Sequence, residues 1–166
     1  MYVSSESWLY PGDIIKALEL PNLKGDSYRL TPHPESEAKP FCVRQMMDNE
    51  LFAYISHECD FNDNKRQFFI ITPLIGIDVG LRREPQGFKR LIDSNDIENY
   101  PFYLNLFYYS AHNQILPKDM VIDFTRVISV PVKNKSSLVE KKILQLDPSH
   151  RNFLKKKISY YYLHEQ

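Results

Sequence analysis

The clearest signal of secondary structure lies in residues 51–77, LFAYISHECDFNDNKRQFFIITPLIGI. Leu51–Cys59 reads as one strand and Gln67–Ile77 as a second, with the polar residues Asn62–Lys65 between them. Two apolar strands separated by a polar turn predict a β-hairpin. Because the run Phe68–Ile71 is apolar at every position, we expect the second strand to be buried on both faces.

The composition around this hairpin is that of a folded, β-rich domain. The chain has 166 residues, of which 43% are hydrophobic and 25% charged, so it is long enough for a core and too apolar for a disordered chain. Aromatic residues make up 13%, and there are 11 prolines but only 5 glycines. Many aromatic residues and many short segments bounded by proline favour a β-rich core over a helical bundle.

The sequence carries no recognisable membrane or export signal. It lacks the run of about 18 apolar residues that a spanning helix needs, and Met1–Glu6 lacks the basic and apolar regions of a signal peptide. We therefore expect a cytoplasmic protein with no membrane contact. In that compartment Cys42 and Cys59 are expected to be thiols rather than a disulfide.

Further strands are predicted on both sides of the hairpin. The β-branched pair after the turn Pro11–Asp13 begins a short strand, Ile14–Leu18. The polar, proline-rich stretch Leu20–Pro40 is expected to be a long loop. Two more strands are predicted at Phe41–Met46 and Met120–Val130.

Two helix signals close the chain. Ser137 and Glu140 have the spacing of a capping box, and Asp147-Pro148 fits an N-cap followed by proline at the first helical position. In the helix that follows, one face is expected to carry the apolar residues Leu154, Ile158 and Tyr161/Tyr162. The other side is expected to carry Lys155, Lys156 and Lys157.

Together these elements predict a single domain, residues 1–166, with mainly β structure. Residues 1–132 are expected to form a β-barrel or strongly curved sheet with an inserted excursion over 76–118, and residues 133–166 a helical C-terminal segment. The segment 133–166 carries eight Lys or Arg residues and three acids, although the net charge of the whole chain is zero. Such a basic segment contacts nucleic acid or an acidic partner, or is the solvated face of a terminal helix.

The densest chemical segment is Ser56–Asp60, where the first hairpin strand ends. Side chains alternate along a strand, so His57 and Cys59 point to the same side. One interpretation is a Cys59 nucleophile whose thiolate is favoured by His57. A second is a zinc site completed by His112, His33, Cys42 or a carboxylate. In the third, Cys59 is a small buried residue and His57 a structural histidine near the barrel rim.

A second set of candidate residues is cationic. Arginine beside exposed Tyr or Phe is how a small barrel holds a single-stranded nucleic acid, although such charges also serve solubility. Cleavage of RNA needs a base, an acid and a cation around one phosphodiester, and His57, Asp60 and Arg66 are close enough in sequence to supply them. The other cations expected on the barrel loops are Arg44, Arg82 and Arg83.

Familiar cofactor motifs are absent from the sequence. There is no Walker A, G-x-G-x-x-G, G-x-S-x-G or EF-hand pattern, and His57-Glu58 does not continue into H-E-x-x-H because Phe61 stands at the fifth position. We therefore expect no cofactor and, outside the zinc interpretation, no metal.

The order of the elements resembles the plasmid-maintenance toxins of the PemK/MazF type. Four stretches carry the resemblance: Pro11–Ile15, Ala53–Ser56, Phe69–Ile75 and Val121–Ile128. The chain departs from the family in lacking the Arg-Pro before the strand that ends in serine, since Asn49-Glu50 stands near that place. Its Ser-x-x-Cys-Asp segment is similar to one found in bacterial and phage relatives of these barrels.

The resemblance implies an SH3-like barrel from a bacterial or phage toxin or defence system that binds or cleaves RNA. For cleavage we expect a metal-independent reaction in which His57 exchanges protons, Asp60 orients or assists, and Arg66 stabilises the phosphate. The alternative is a non-catalytic interaction module. It would dock its aromatic strand Phe102–Tyr109 or its basic helix on a co-encoded partner protein.

Overall fold

The structure is a computed structural model that describes residues 1–4, 8–16, 28–32, 41–45, 51–56, 67–77, 85–131 and 135–164, with the backbone alone for 28–32, 41–45, 85, 135 and 164. The strands in these ranges are β1 (Tyr2–Val3), β2 (Ile14–Lys16), β3 (Tyr28–Pro32), β4 (Phe41–Gln45), β5 (Leu51–Tyr54), β6 (Phe68–Gly76), β7 (Leu106–Tyr109), β8 (Met120–Asp123), β9 (Ile128–Pro131) and β10 (Lys142–Leu146). The helices are α1 (Pro85–Asp93), α2 (Lys135–Glu140) and α3 (Pro148–His164).

The fold is mainly β with a C-terminal helix, as the sequence predicted. Eight strands form an antiparallel sheet in the order β1-β10-β2-β5-β6-β8-β7, with β9 also paired to β6, and this sheet curls into a half-barrel. A separate antiparallel hairpin is formed by β3 and β4.

The predicted pairing of the two central strands is confirmed. β5 and β6 are antiparallel, with Tyr54 opposite Ile71, and the pairing continues past β5 because Ile70 N–H donates to Ser56 Oγ at 2.6 Å. The prediction that Phe68–Ile71 is buried on both faces is wrong. Phe69 and Ile71 lie in the core, whereas Phe68 is 53% and Ile70 39% exposed, because only one face of this half of β6 packs on a core cluster.

One long strand predicted over Met120–Val130 is instead two strands on the same edge of β6. β8 pairs with the second half of β6 and β9 with the first half. Residues 124–127 interrupt them, since Asp123 Oδ1 accepts hydrogen bonds from the N–H and the hydroxyl of Thr125. A short acid that bonds to the backbone two residues on favours a turn over a continuous strand.

Helices cover both faces of the central strands. Ile14 and Ile15 are neighbours on β2, so their side chains point to opposite faces, and both are fully buried. Ile14 belongs to a cluster that includes Leu154 and Tyr161 of α3. Ile15 belongs to a second cluster that includes Leu138 of α2. The sheet therefore separates two clusters of core residues, one on each of its faces.

The predicted excursion, residues 76–118, contains α1 and also β7, a strand at the end of the main sheet. The buried side chain of Asn95, just after α1, accepts from Tyr108 N–H and donates to Tyr108 C=O, both at 2.8 Å. It satisfies the backbone groups that an edge strand otherwise leaves open.

Three further predictions differ from the structure. The expected loop Leu20–Pro40 contains β3, which pairs with β4. Apolar and polar residues alternate from Tyr28 to Thr31, and this pattern favours a strand although the stretch as a whole is polar. The capping box at Ser137 and Glu140 does not begin a helix, because α2 begins at Lys135 and ends at Glu140. β10 follows and pairs with β1 and β2 inside a segment expected to be helical.

The predicted start of α3 is confirmed, and its predicted buried face is confirmed in part. Asp147 Oδ1 accepts from His150 N–H at 3.0 Å, and the helix begins at Pro148. Leu154 and Tyr161 are buried and Ile158 is partly buried, but Tyr162 is 45% exposed. Lys157, which was expected on the outer side, is fully buried. It lies three residues after Leu154 and four before Tyr161, and these spacings place it on the same helix face.

Candidate functional site

The residues predicted to carry chemistry lie mostly outside the described part of the chain. These are His57, Cys59, Asp60, Arg66, Arg82 and Arg83. Arg44 lies on β4, opposite Arg29, with its backbone alone described. The last described residue before the predicted motif is Ser56, and it lies at the end of the sheet where β2 begins, since Gly12 N–H donates to Tyr54 C=O at 2.7 Å.

The turn before β2, residues 10–13, is held by its own backbone and by one carboxylate. Asp13 N–H donates to Tyr10 C=O at 3.0 Å, and Tyr10 N–H donates to Asp13 Oδ2 at 2.9 Å. Gly12 has a φ of 93°, and a Cβ at this position would lie 2.2 Å from Leu146 Cδ1. Only glycine meets both requirements, so the turn is packed tightly against β10 and α3.

A buried ion pair ties this turn to β10. Lys142 Nζ lies 3.2 Å from Asp13 Oδ2, with the Lys142 side chain 1% and the Asp13 side chain 0% exposed. The amine also donates to Gln145 Oε1 at 2.8 Å and to the backbone C=O of Trp8. Burial raises the pKa of Asp13 to about 6, and the hydrogen bond from Tyr10 and the charge of Lys142 only partly offset it. Among the described residues, Asp13 Oδ1 has no hydrogen-bond partner.

On the outer side of the turn, an arginine stacks on an aromatic ring. The guanidinium carbon of Arg151, on α3, lies 3.8 Å from the centroid of the Tyr10 ring. Arg151 Nη2 donates to Leu146 C=O at 3.2 Å, while its Nε is buried without a hydrogen-bond partner in the described structure. The contact is a cation–π interaction that fixes both planes. Tyr10 and Arg151, from two distant parts of the chain, therefore form one charged and aromatic surface.

The first turn of α3 is capped by Asp147. Its carboxylate accepts from His150 N–H and lies 2.7 Å from His150 Nδ1 and 3.1 Å from the Met1 amine. Burial alone would raise the pKa of Asp147, but these hydrogen bonds hold it at about 2. The negative charge of Asp147 is therefore compensated by its hydrogen bonds with His150 and by the Met1 amine.

Leaving the histidines aside, the charged side chains of α3 are all basic, although Lys157 is buried and Lys156 is paired with Glu98 at 2.6 Å. The 17 residues of the helix include four Lys or Arg and no Asp or Glu. An open surface depression of about 440 Å³ lies at the beginning of the helix and is lined by Pro148, Ser149, Arg151, Asn152 and Lys155. Tyr10 adjoins the depression through its contact with Arg151, and Trp8 lies two residues before Tyr10 in the chain. We call the depression together with these two residues the turn–helix surface. It combines positive charge, an amide and two aromatic rings.

A second cluster pairs a lysine with a serine inside the protein. Lys157 Nζ donates to Ser94 Oγ at 3.0 Å and to Ser94 C=O. Burial lowers the pKa of Lys157 to about 7. Both residues are 0% exposed, so a substrate cannot reach the hydroxyl. The amine instead satisfies a carbonyl just beyond the end of α1, a stabilising position for a lysine.

An exposed aromatic patch lies beyond α1. It consists of Tyr100, Phe102 and Tyr103, which are 43%, 45% and 41% exposed. Arg90 lies over the Phe102 ring at 5.6 Å, and the acids Asp93, Asp96 and Glu98 lie in the same stretch of chain. The patch is therefore less positively charged than the turn–helix surface.

Metal ligands do not gather in the part of the chain that the structure describes: no three His, Cys, Asp or Glu side chains come together there. His112, one of the ligands considered for zinc, packs against the Tyr2 ring with centroids 4.8 Å apart. Over the same residues, no helix is long and apolar enough to cross a membrane.

Comparison of the chain with protein-family models, curated proteins and solved structures gives no match. The function therefore has to be inferred from the side chains themselves.

The turn–helix surface was not predicted from the sequence. Asp13 and Lys142 are 129 residues apart, and Tyr10 and Arg151 are comparably distant, so no local spacing relates them. Two signals pointed towards the region: the Pro-Gly-Asp turn and the excess of basic residues after residue 132. Neither signal shows that the turn packs on the basic helix.

Proposed function

We propose that this protein binds single-stranded RNA on the turn–helix surface. The observation that carries the proposal is the open depression lined by Arg151 and Lys155, on a helix without acidic residues, with Arg151 stacked on Tyr10. Cations that track a phosphate backbone beside aromatic rings that stack on bases are the usual means of holding an unpaired strand.

Each group on this surface has a role in such binding. Arg151 and Lys155 neutralise phosphates, and the Asn152 amide supplies a donor and an acceptor for a base or sugar. The exposed ring of Trp8, 46% exposed, offers a face to an unpaired base. A duplex keeps its bases stacked on one another, so a surface that offers rings favours a single strand.

We further propose that the half-barrel belongs to an SH3-like barrel of the PemK/MazF type, from a bacterial or phage toxin or defence system in the cytoplasm. The antiparallel, curled sheet with a C-terminal helix supports this fold. The preference for RNA over DNA rests on the resemblance. In the same proposal His57, Asp60 and Arg66 cleave the bound strand without a metal. The alternative enzyme is one of a different class, with Cys59 as its nucleophile. Further phosphate contacts are assigned to Arg44, Arg82 and Arg83.

The position of Ser56 supports a link between binding and cleavage. It lies where β5 ends, beside the turn that carries Tyr10, and the chain continues from it directly into His57. In this proposal, a strand held on the turn–helix surface lies near Ser56, the residue directly before His57 in the sequence.

The test is incubation of the protein with end-labelled, mixed-sequence RNA, single-stranded and duplex, in excess EDTA. We expect binding of the single strand over the duplex, and cleavage that is lost in His57→Ala while binding is kept. Equal binding of both forms would refute the binding proposal. Binding with no cleavage by the wild type would refute the nuclease proposal alone.

A second candidate function is a non-catalytic interaction module that docks the exposed aromatic patch on a co-encoded protein. The exposed rings of Tyr100, Phe102 and Tyr103 favour it. Co-purification with the product of the neighbouring gene, lost in Phe102→Asp and kept in Lys155→Gln, would support this function. Loss in neither variant would refute it.

A further inference from the structure

Trp8 is the single tryptophan of the chain, and it lies in the segment just before the turn of residues 10–13. Its indole is 46% exposed, whereas the next residue, Leu9, is 1% exposed and belongs to the core cluster around Phe52 and Phe69. Tryptophan has a large apolar surface, and leaving nearly half of it in water gains nothing for folding. An exposed indole on an anchored backbone is typical of a contact residue.

The backbone of Trp8 is held by buried charge. Lys142, whose side chain is 1% exposed and pairs with Asp13, donates to the Trp8 C=O. A buried ion pair is costly to form and contributes little net stability. Here the pair ties the segment that carries Trp8 and Tyr10 to β10, and the contact of Arg151 with Tyr10 ties it to α3. The indole is therefore presented on a rigid frame, two residues from the ring that stacks on Arg151.

We infer that Trp8 stacks on one unpaired base of a bound single strand, next to the phosphates held by Arg151 and Lys155. The inference rests on the proposed function and deepens it, because it names the part of the ligand that Trp8 recognises. The ligand is then a strand with bases, rather than any polyanion. Stacking tolerates all four bases, since every base has a π face, so we expect affinity with weak sequence preference.

The test uses the intrinsic fluorescence of the full chain, which reports on Trp8 without interference from another tryptophan. The probes are a single-stranded oligouridylate and inorganic polyphosphate, which carries the charge without bases. Binding is followed in parallel by the anisotropy of a labelled oligouridylate. We expect saturating oligouridylate to quench the Trp8 emission, and polyphosphate to displace the labelled RNA without quenching.

Variants separate stacking from charge. Trp8→Ala is expected to weaken oligouridylate binding about 5- to 150-fold, the effect of losing one base–aromatic stack, while polyphosphate binding stays within about twofold. Trp8→Phe keeps an aromatic face and is expected to restore most of the affinity. Phe102→Ala is the matched control, because Phe102 is 45% exposed on the aromatic patch. It should bind as the wild type does.

These measurements distinguish failure of the Trp8 inference from failure of the proposed function. Oligouridylate that binds without changing Trp8 emission, and equally well to Trp8→Ala, would overturn the inference and leave the proposed function standing. Absence of binding to any single strand would overturn both. Equal quenching by polyphosphate would overturn the inference, because it would show that Trp8 responds to charge rather than to a base.

Discussion

The amine of Lys142 lies 3.2 Å from the carboxylate of Asp13, 129 residues earlier in the chain, and both side chains are buried. This pair connects β10 to the turn before β2. The same Lys142 amine donates a hydrogen bond to the backbone C=O of Trp8, a residue exposed at the protein surface. A structural ion pair in the sheet therefore also sets the geometry of the turn–helix surface.

Removing one partner of this pair is expected to be much worse than removing both. Asp13→Asn leaves the Lys142 amine buried without an anion, and we expect it to lower the free energy of unfolding by about 3–5 kcal/mol. The double variant Asp13→Asn/Lys142→Met contains no buried charge at this point and should recover most of the loss. Urea denaturation of the wild type, Asp13→Asn, Lys142→Met and the double variant measures both effects. Additive losses in the double variant would contradict the ion-pair account.

Lys157 is expected to make the protein more stable as the pH rises above neutral. Its pKa is about 7 in the folded protein and 10.5 in the unfolded chain, so between these values the unfolded chain binds a proton that the folded protein does not. The free energy of unfolding should then rise by up to about 1.4 kcal/mol per pH unit from this group.

Urea denaturation at about pH 7.5 and about pH 9 measures this contribution of Lys157. Lys157→Met should remove the increase, while Lys155→Met, a change on the outer side of α3, should keep it. An unchanged pH dependence in Lys157→Met would show that the buried amine is not the cause.

Asp147 is expected to stabilise the protein both as a helix cap and through its negative charge, and the variants Asp147→Ala and Asp147→Asn separate the two contributions. Asp147→Ala loses the cap on His150 N–H and should cost about 0.5–2 kcal/mol at neutral pH, whereas Asp147→Asn keeps a capping oxygen and should cost less. The pKa of Asp147 is about 2 when folded and 3.8 when unfolded. Its ionic contribution is therefore complete above pH 3.8 and is lost as the pH falls towards 2.

Thermal denaturation at neutral pH and along an acid series checks both parts for Asp147. Asp147→Asn should lack the acid-dependent part. If Asp147→Ala melts at the same temperature as the wild type, the cap contributes no stability.

Asn95 is expected to protect the edge of the sheet. Asn95→Ala leaves the N–H and C=O of Tyr108 without partners, at a cost of about 1–3 kcal/mol for each buried group. It also opens the edge of β7 to pairing with another chain. We expect lower stability in urea and a concentration-dependent increase in mass by light scattering. Ser159→Ala, an exposed change on α3, is the control and should remain unchanged in both measurements.

The sequence predicted the parts of the fold that depend on local pattern. The β5–β6 pairing, β4 and the start of α3 follow from alternation, turn residues and capping at neighbouring positions. β10 (Lys142–Leu146) was missed because it lies between two helix signals, at Ser137 and at Asp147-Pro148. Lys157 was misplaced because its charge suggested solvent, although its spacing from Leu154 and Tyr161 placed it inside.

The site was harder to predict than the fold for a physical reason. Its groups come from a turn near the start of the chain and from a helix at the other end, and only the tertiary fold brings them together. Trp8, Tyr10 and Arg151 carry no motif. By contrast, the motif that does stand out, Ser56–Asp60, continues beyond the described residues after Ser56.

The most direct test of the central claim measures how salt affects the binding of labelled single-stranded RNA to charge variants. We expect Arg151→Gln and Lys155→Gln each to weaken binding and to reduce the slope of log K against log salt by about 0.7, the value for one phosphate contact on a single strand. Lys16→Gln, an exposed lysine at the other end of β2, is the matched control and should bind as the wild type does. Equal affinity and equal slope in all four proteins would show that the turn–helix surface does not hold the strand.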